Sequence, residues 1–133
     1  MENRKSKSWI KVHKREAYGI KFTILEQKLL PPKGFAAINI FGFIWIRNIH
    51  DISEKTMRHE CIHTLQCREL LYILHYLLYC FEWIIKLLIC FNFDKAYRSV
   101  SLEQEAYEND HNENYKNERI RFNFIKYIFK IHE

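Results

Sequence analysis

Glycine and proline are scarce in this chain, at 3 and 2 of 133 residues. So few breakers exclude long loops and extended disorder. The four cysteines (Cys61, Cys67, Cys80 and Cys90) lack the spacing of a disulfide framework and fall in the most apolar part of the sequence. They read as small buried hydrophobes of a reducing compartment. No apolar run before a small-residue cleavage site opens the chain, so a cleaved signal peptide is not expected. The expected location is the cytoplasm or the inner face of the cytoplasmic membrane. There is no internal repeat, and large charge excess is missing too: the net charge is +5. The basic residues of segment 1–16 (Arg4, Lys5, Lys7, Lys11, Lys14 and Arg15) have no aromatic interleaving beyond Trp9. This segment reads as a solvated tail entering a first strand, and nucleic-acid binding is not expected.

What remains is a single domain by length, 1–133, with 48% hydrophobic residues to supply a core. Residues 18–26 alternate loosely, as a strand does. After the turn at Leu30-Pro31-Pro32-Lys33-Gly34, residues 35–46 (FAAINIFGFIWI) predict buried strand with a hairpin or bulge at Gly42. This strand stands just upstream of the motif helix, where a sheet edge can pair with an extended peptide.

His59-Glu60-Cys61-Ile62-His63 is the most informative stretch. Random placement of 7 His and 13 Glu would give only roughly 0.03 matches to H-E-x-x-H in a chain of this length. Asp51-Ile52-Ser53-Glu54 reads as a capping box, with Ser53 as a rival cap, and Ile62, Leu65, Leu70 and Leu74 continue with helical spacing. Histidines four apart on a helix reach one divalent ion, most often Zn²⁺, and Glu60 beside them is placed as general base toward water activated by the metal.

Catalytic zinc usually takes a third protein ligand. Glu103, Glu105, Glu108 and His111 are the downstream candidates. Glu103 is favoured because it shares a helix face with the small Ala106, and Glu105 is the rival. Cys67 or His111 as a fourth ligand would mark a closed, structural site. Tyr97, Arg98, Tyr107 and His111 are unranked candidates for oxyanion donor.

From Leu70 to Phe91 the chain is almost continuously apolar and, at 22 residues, long enough to span a bilayer. His75, Glu82 and Lys86 interrupt it on one stripe, with Tyr79 between them. In a membrane that stripe faces protein or water; in a soluble protein it is the solvated edge of a core helix. Membrane contact through 70–91 is therefore an expectation. On a helix running straight from the motif, Glu82 and Lys86 would lie about 140° and 180° around from His59. Ser101-Leu102-Glu103-Gln104 reads as a second capping box, opening a polar helix to about Asn117. Residues 120–131 predict a short amphipathic helix closing the core.

HECIH followed some 40 residues later by Glu103-Gln104-Glu105-Ala106 resembles the gluzincin metallopeptidases. Their third ligand is a glutamate opening an E-x-x-A-D or E-x-x-A-N helix, which maps here to Glu103. Tyr107 stands where the family has Asp or Asn bonded to a ligand histidine. The run from HECIHTLQCREL to YRSVSLEQEAYEN also resembles small uncharacterised bacterial proteins with H-E-x-x-H-x-x-Q and a closing E-x-E-A-Y, over about residues 35–130. Gln66 is the Q of that pattern and reads either as a hydrogen-bond donor near the site or as a plain polar helix residue.

The reading is an α+β fold of minimal zincin type. A small sheet packs on the motif helix, a long apolar helix and a helix with an acidic start. The expected activity is zinc-dependent hydrolysis of a peptide or protein, with other divalent ions allowed. His59, His63 and Glu103 hold the metal and Glu60 is the base. The alternatives are a non-catalytic, metal-stabilised interaction protein and a membrane-associated one.

Overall fold

A computed structural model describes residues 9–133. The basic residues Arg4, Lys5 and Lys7 lie outside the described residues. The fold is α+β, and the described residues form a four-stranded sheet and five α-helices. Strands β1 (Lys11–Ala17) and β2 (Ile20–Glu26) form an antiparallel hairpin, and β3 (Ala37–Ile40) and β4 (Phe43–Ile46) form another. Both turns place two successive residues at positive φ: Tyr18-Gly19 at 55° and 68°, and Phe41-Gly42 at 52° and 84°. That is the primed geometry that matches strand twist, and glycine takes the second position without a steric penalty. The hairpin expected at Gly42 is therefore present. Parallel pairing of β2 with β4 gives the order β1-β2-β4-β3, which leaves β3 on an edge.

The period-2 pattern sends Ile20, Phe22 and Ile24 of β2, with Ile44 and Ile46 of β4, to one face. There they pack on Met57 and Cys61 of α1 (Glu54–Glu69). The cap of α1 is Ser53, whose Oγ accepts from Thr56 N at 3.0 Å; Asp51 belongs to a preceding 3₁₀ turn. Of the two caps the sequence offered, the serine wins.

The apolar run does not continue α1. The chain reverses at Leu70–Tyr72, with Leu71 and Tyr72 at φ 52° and 58°, and α2 spans Ile73–Cys90. Neither Gly nor Pro marks this break. Tertiary contacts hold it: Tyr72 stacks on Phe41, the Tyr76 ring packs tilted against the same Phe41, and the Tyr76 hydroxyl accepts from Phe41 N at 2.6 Å; locally, Tyr72 N donates to Cys67 O. The straight-helix geometry is thereby corrected, since the bend brings His75 back toward α1.

The polar stripe of α2 is also not a solvated edge. His75, Glu82 and Lys86 are its buried residues, whereas Leu78, Tyr79 and Trp83 are only half-buried and most of its other large apolar side chains are exposed. Of the cysteines, only Cys61 and Cys67 are buried.

Helices α3 (Phe93–Ser99) and α4 (Ser101–Asn109) follow. Ser101 is the first residue of α4 rather than its side-chain cap. The Glu82 carboxylate instead accepts from Ser101 N (2.9 Å) and Ser101 Oγ (2.6 Å), placing negative charge at the helix N-terminus. The polar helix stops at Asn109, short of Asn117, and a single turn, α5 (Tyr115–Glu118), stands apart from it. The expected helix over 120–131 is only a 3₁₀ turn at Asn123–Tyr127, with Phe124 and Tyr127 buried. Ala106 packs on Ile62, so α4 lies close against α1.

Candidate metal centre

His59 and His63 sit one turn apart on α1, with ring centroids 4.7 Å apart and Nε2 atoms 3.0 Å apart. Glu103, in the first turn of α4, brings Oε2 to 3.4 Å from each Nε2. A tetrahedral ion with ligand bonds of 2.0–2.1 Å has ligand–ligand edges of roughly 3.3 Å. The triangle of donor atoms has that size. Two further observations fit a cation. Glu103 Oε2 is buried without a hydrogen-bond partner, and two imidazole nitrogens face one another, which neutral rings satisfy with at most one hydrogen. Among the described residues this is the one group of three such donors within 4.8 Å of one another.

Partners behind the donors fix them. Gln66 commits its amide nitrogen to Leu102 O (3.0 Å) and Glu105 Oε2 (2.9 Å), so its Oε1 faces His63 Nδ1 at 2.9 Å. His63 must then donate from Nδ1, which leaves the Nε2 lone pair of the neutral ring for a metal. Gln66 is thus an acceptor toward the site, not the donor expected. Asp110 Oδ2 lies 3.5 Å from His59 Nδ1 and can fill the role that Tyr107 does not; Tyr107 instead packs edge-on against the His59 ring at 4.6 Å. Tyr79 donates to Glu103 Oε1 at 3.0 Å.

Glu105 is turned away. It pairs with Arg119, which also bonds Glu69, in a buried cluster that Tyr115 completes by donating to Glu105 Oε1. Its part is to orient Gln66, two bonds from the candidate metal. Glu108 and His111 are exposed and do not join the donor group. Cys67 does not join it either, and burial pushes its thiol up to about 11.

The electrostatics favour positive charge. Burial alone would lower the His59 pKa, but the Asp110 and Glu103 carboxylates outweigh it and raise the imidazole to about 10. Burial would lift Glu103, yet His63 and His59 hold it well below the usual carboxylate range. Glu60 is raised, chiefly by burial, and its Oε2 has no hydrogen-bond partner. The carboxylates hold positive charge on both imidazoles, and a divalent cation can take the place of those protons in the same pocket.

The donors open onto a cavity of about 510 Å³. Its wall includes Ala37–Ile40 on the edge strand β3, and His75, Tyr76, Tyr79, Tyr97 and Tyr107. Asn39 Nδ2 donates to Thr64 Oγ1 at 2.8 Å, fixing β3 to α1. The Tyr97 and Tyr107 hydroxyls are 3.4 Å apart, and Arg98 stacks over the Tyr107 ring rather than pointing at the donors. Burial lowers the His75 pKa to about 4, with help from His63, so the ring is neutral; its Nδ1 has no partner.

Asp110, Asn39, Arg119 and the facing of His75 were missed from sequence. A signal for Asp110 existed: Glu103 and Tyr107 of α4 and Asp110, its C-cap, recur at i, i+4 and i+7, the spacing of one helix face. No protein family model matches the chain, and neither a curated protein nor a solved structure matches it. The resemblance to gluzincins therefore rests on motif residues alone.

Proposed function

We propose that this protein is a small metal-dependent hydrolase of the metallopeptidase type, with His59, His63 and Glu103 as ligands and Glu60 as general base. One observation carries the reading. Three donor atoms form a triangle with edges of 3.0, 3.4 and 3.4 Å, next to a buried Glu60 oxygen that has no partner. A divalent ion held there supplies Lewis acidity, acidifying water and polarising a carbonyl oxygen. A His₂Glu set suits zinc, and other divalent ions compete according to availability.

The chain's own residues supply the rest. Glu60 accepts a proton from the attacking water, and its burial makes it a stronger base than a solvated carboxylate. As the C–N bond breaks, Glu60 returns that proton to the leaving amine. Tyr97 and Tyr107, on the cavity wall, are the donors suited to the oxyanion. The free edge of β3 runs along the same cavity, where an extended peptide can add as a further strand. Neither Cys67 nor His111 stands with the donors, which favours an open position over a closed structural site. The order of HECIH and Glu103, with Ala106 against α1, agrees with the gluzincin pattern.

The test is peptide hydrolysis by Glu60→Gln protein against a mixed peptide library read by mass spectrometry. Retained metal with activity lowered by about 10²–10⁴-fold supports the assignment. Undiminished turnover removes Glu60 from the mechanism, and metal-loaded wild-type protein that cleaves nothing favours a non-catalytic metal staple.

A further inference from the structure

We infer that the outer face of α2 docks on an anionic phospholipid bilayer, with the helix lying along the membrane surface rather than crossing it. The inference does not depend on the proposed hydrolase activity.

The first observation is that α2 is inside out. Its buried residues are His75, Glu82 and Lys86, whereas Leu77, Phe81, Ile84 and Leu88 are more than half exposed. A core helix of a soluble protein would show the reverse. At about 100° per residue, the exposed residues from Ile73 to Ile89 cover roughly 180° of the helix circumference. No Asp, Glu, Lys or Arg falls in that half, because the two charged residues of α2 are both on the buried stripe. A single partner helix needs only a narrow seam. An uncharged half-cylinder about 27 Å long suits a hydrocarbon surface instead. Phe91 and Phe93 extend it past the helix end, at 87% and 70% exposure.

The second observation excludes full immersion. α3 packs along α2 and carries exposed Asp94, Lys95 and Arg98. Lipid therefore meets one side of α2 only.

The third is charge. Residues 119–132 contain Arg119, Arg121, Lys126 and Lys130 and no acidic residue. Lys86 stands about 60° around α2 from Ile89, the edge of the apolar half, and its Nζ donates to Ile128 O (2.7 Å) and Lys130 O (2.5 Å), which sets this stretch at the margin of that face. Arg119 is spent on Glu69 and Glu105, but Arg121, Lys126 and Lys130 are exposed, next to exposed Ile125 and Phe129. Basic groups beside an apolar face complement anionic lipid headgroups.

The experiment is flotation of the full-length protein with phosphatidylcholine vesicles, with and without 30 mol% phosphatidylglycerol as a probe of about that composition. Binding is expected on the anionic vesicles, weakening several-fold as salt rises. Ile84→Glu/Leu88→Glu should lower partitioning at least about tenfold, and Lys126→Glu/Lys130→Glu should lower it on anionic vesicles only. A second readout needs no disruptive change. Cys80 is exposed on the margin of the apolar arc, whereas Cys61 and Cys67 are buried. An environment-sensitive fluorophore on Cys80, in Cys90→Ser protein, should shift to the blue when anionic vesicles are added. No flotation and no shift overturns the inference. So does a stable dimer in light scattering that binds no vesicle and comes apart in Ile84→Glu/Leu88→Glu, which would assign the face to a second copy.

Discussion

Helices α1 and α2 follow one another in sequence and both bury polar side chains, but they do so for different reasons. On α1, His59, Glu60 and His63 face a cavity while Met57 and Cys61 fill the core under the sheet. Hydropathy and burial agree there, except at Glu60, His63, Thr64 and Gln66 in and around the donor group. On α2 they are inverted: Glu82 and Lys86 are buried because each has partners, and the exposed apolar half has no cover among the described residues. The contrast teaches that burial in this chain follows the availability of hydrogen-bond partners and of a covering surface, not hydropathy alone.

Four substitutions break or sharpen that contrast, in descending order of effect. Arg119→Ala leaves Glu105 and Glu69 without their cation inside the fold. Removing one partner of a buried ion cluster typically costs about 3–5 kcal/mol, and urea denaturation should show a loss of that order. Glu82→Ala uncaps α4 and strands Ser101 N and Ser101 Oγ, while Lys86 keeps its two backbone acceptors and loses a carboxylate 4.0 Å away. Two buried groups left unpaired should cost roughly 2–4 kcal/mol in the same assay. Gln66→Ala frees the His63 ring, and competition against a chelating dye should show metal affinity down about 10–100-fold with little change in helix content. Leu77→Ser, on the exposed half of α2, should change stability in aqueous buffer by less than about 0.5 kcal/mol. A large loss there would mean that the apolar face is covered within the folded chain, and the comparison of the two helices would fail.

Local signals carried well from sequence to structure. The spacing of His59 and His63 is a property of one helical turn, so the pair was legible without any fold. The Gly42 hairpin was legible for the same reason, while at α1 the sequence favoured Asp51 and kept Ser53, the cap observed, as the rival. Glu103 was reached through its acidic first turn, its neighbour Ala106 and the resemblance, and its carboxylate does meet both rings. What escaped was long-range. Nothing within a few residues of Leu71 announces a reversal, because the contacts that hold it come from Phe41 on the sheet. The cap of α4 comes from Glu82, nineteen residues away, and Ser101 imitates a cap in sequence. Glu105 looked equivalent to Glu103 until Arg119 claimed it. Asp110 supplies a partner to His59 from a position one turn later than the gluzincin pattern would place it.

The claim on which most rests is that Glu103, and not Glu105, joins the two histidines around one ion. Metal analysis by inductively coupled plasma mass spectrometry, on wild-type, Glu103→Gln and Glu105→Gln protein loaded with excess zinc and desalted, tests it directly. One ion per chain in the wild type and in Glu105→Gln, with none in Glu103→Gln, is the predicted result. Equal metal in all three proteins, or loss in Glu105→Gln alone, would contradict it.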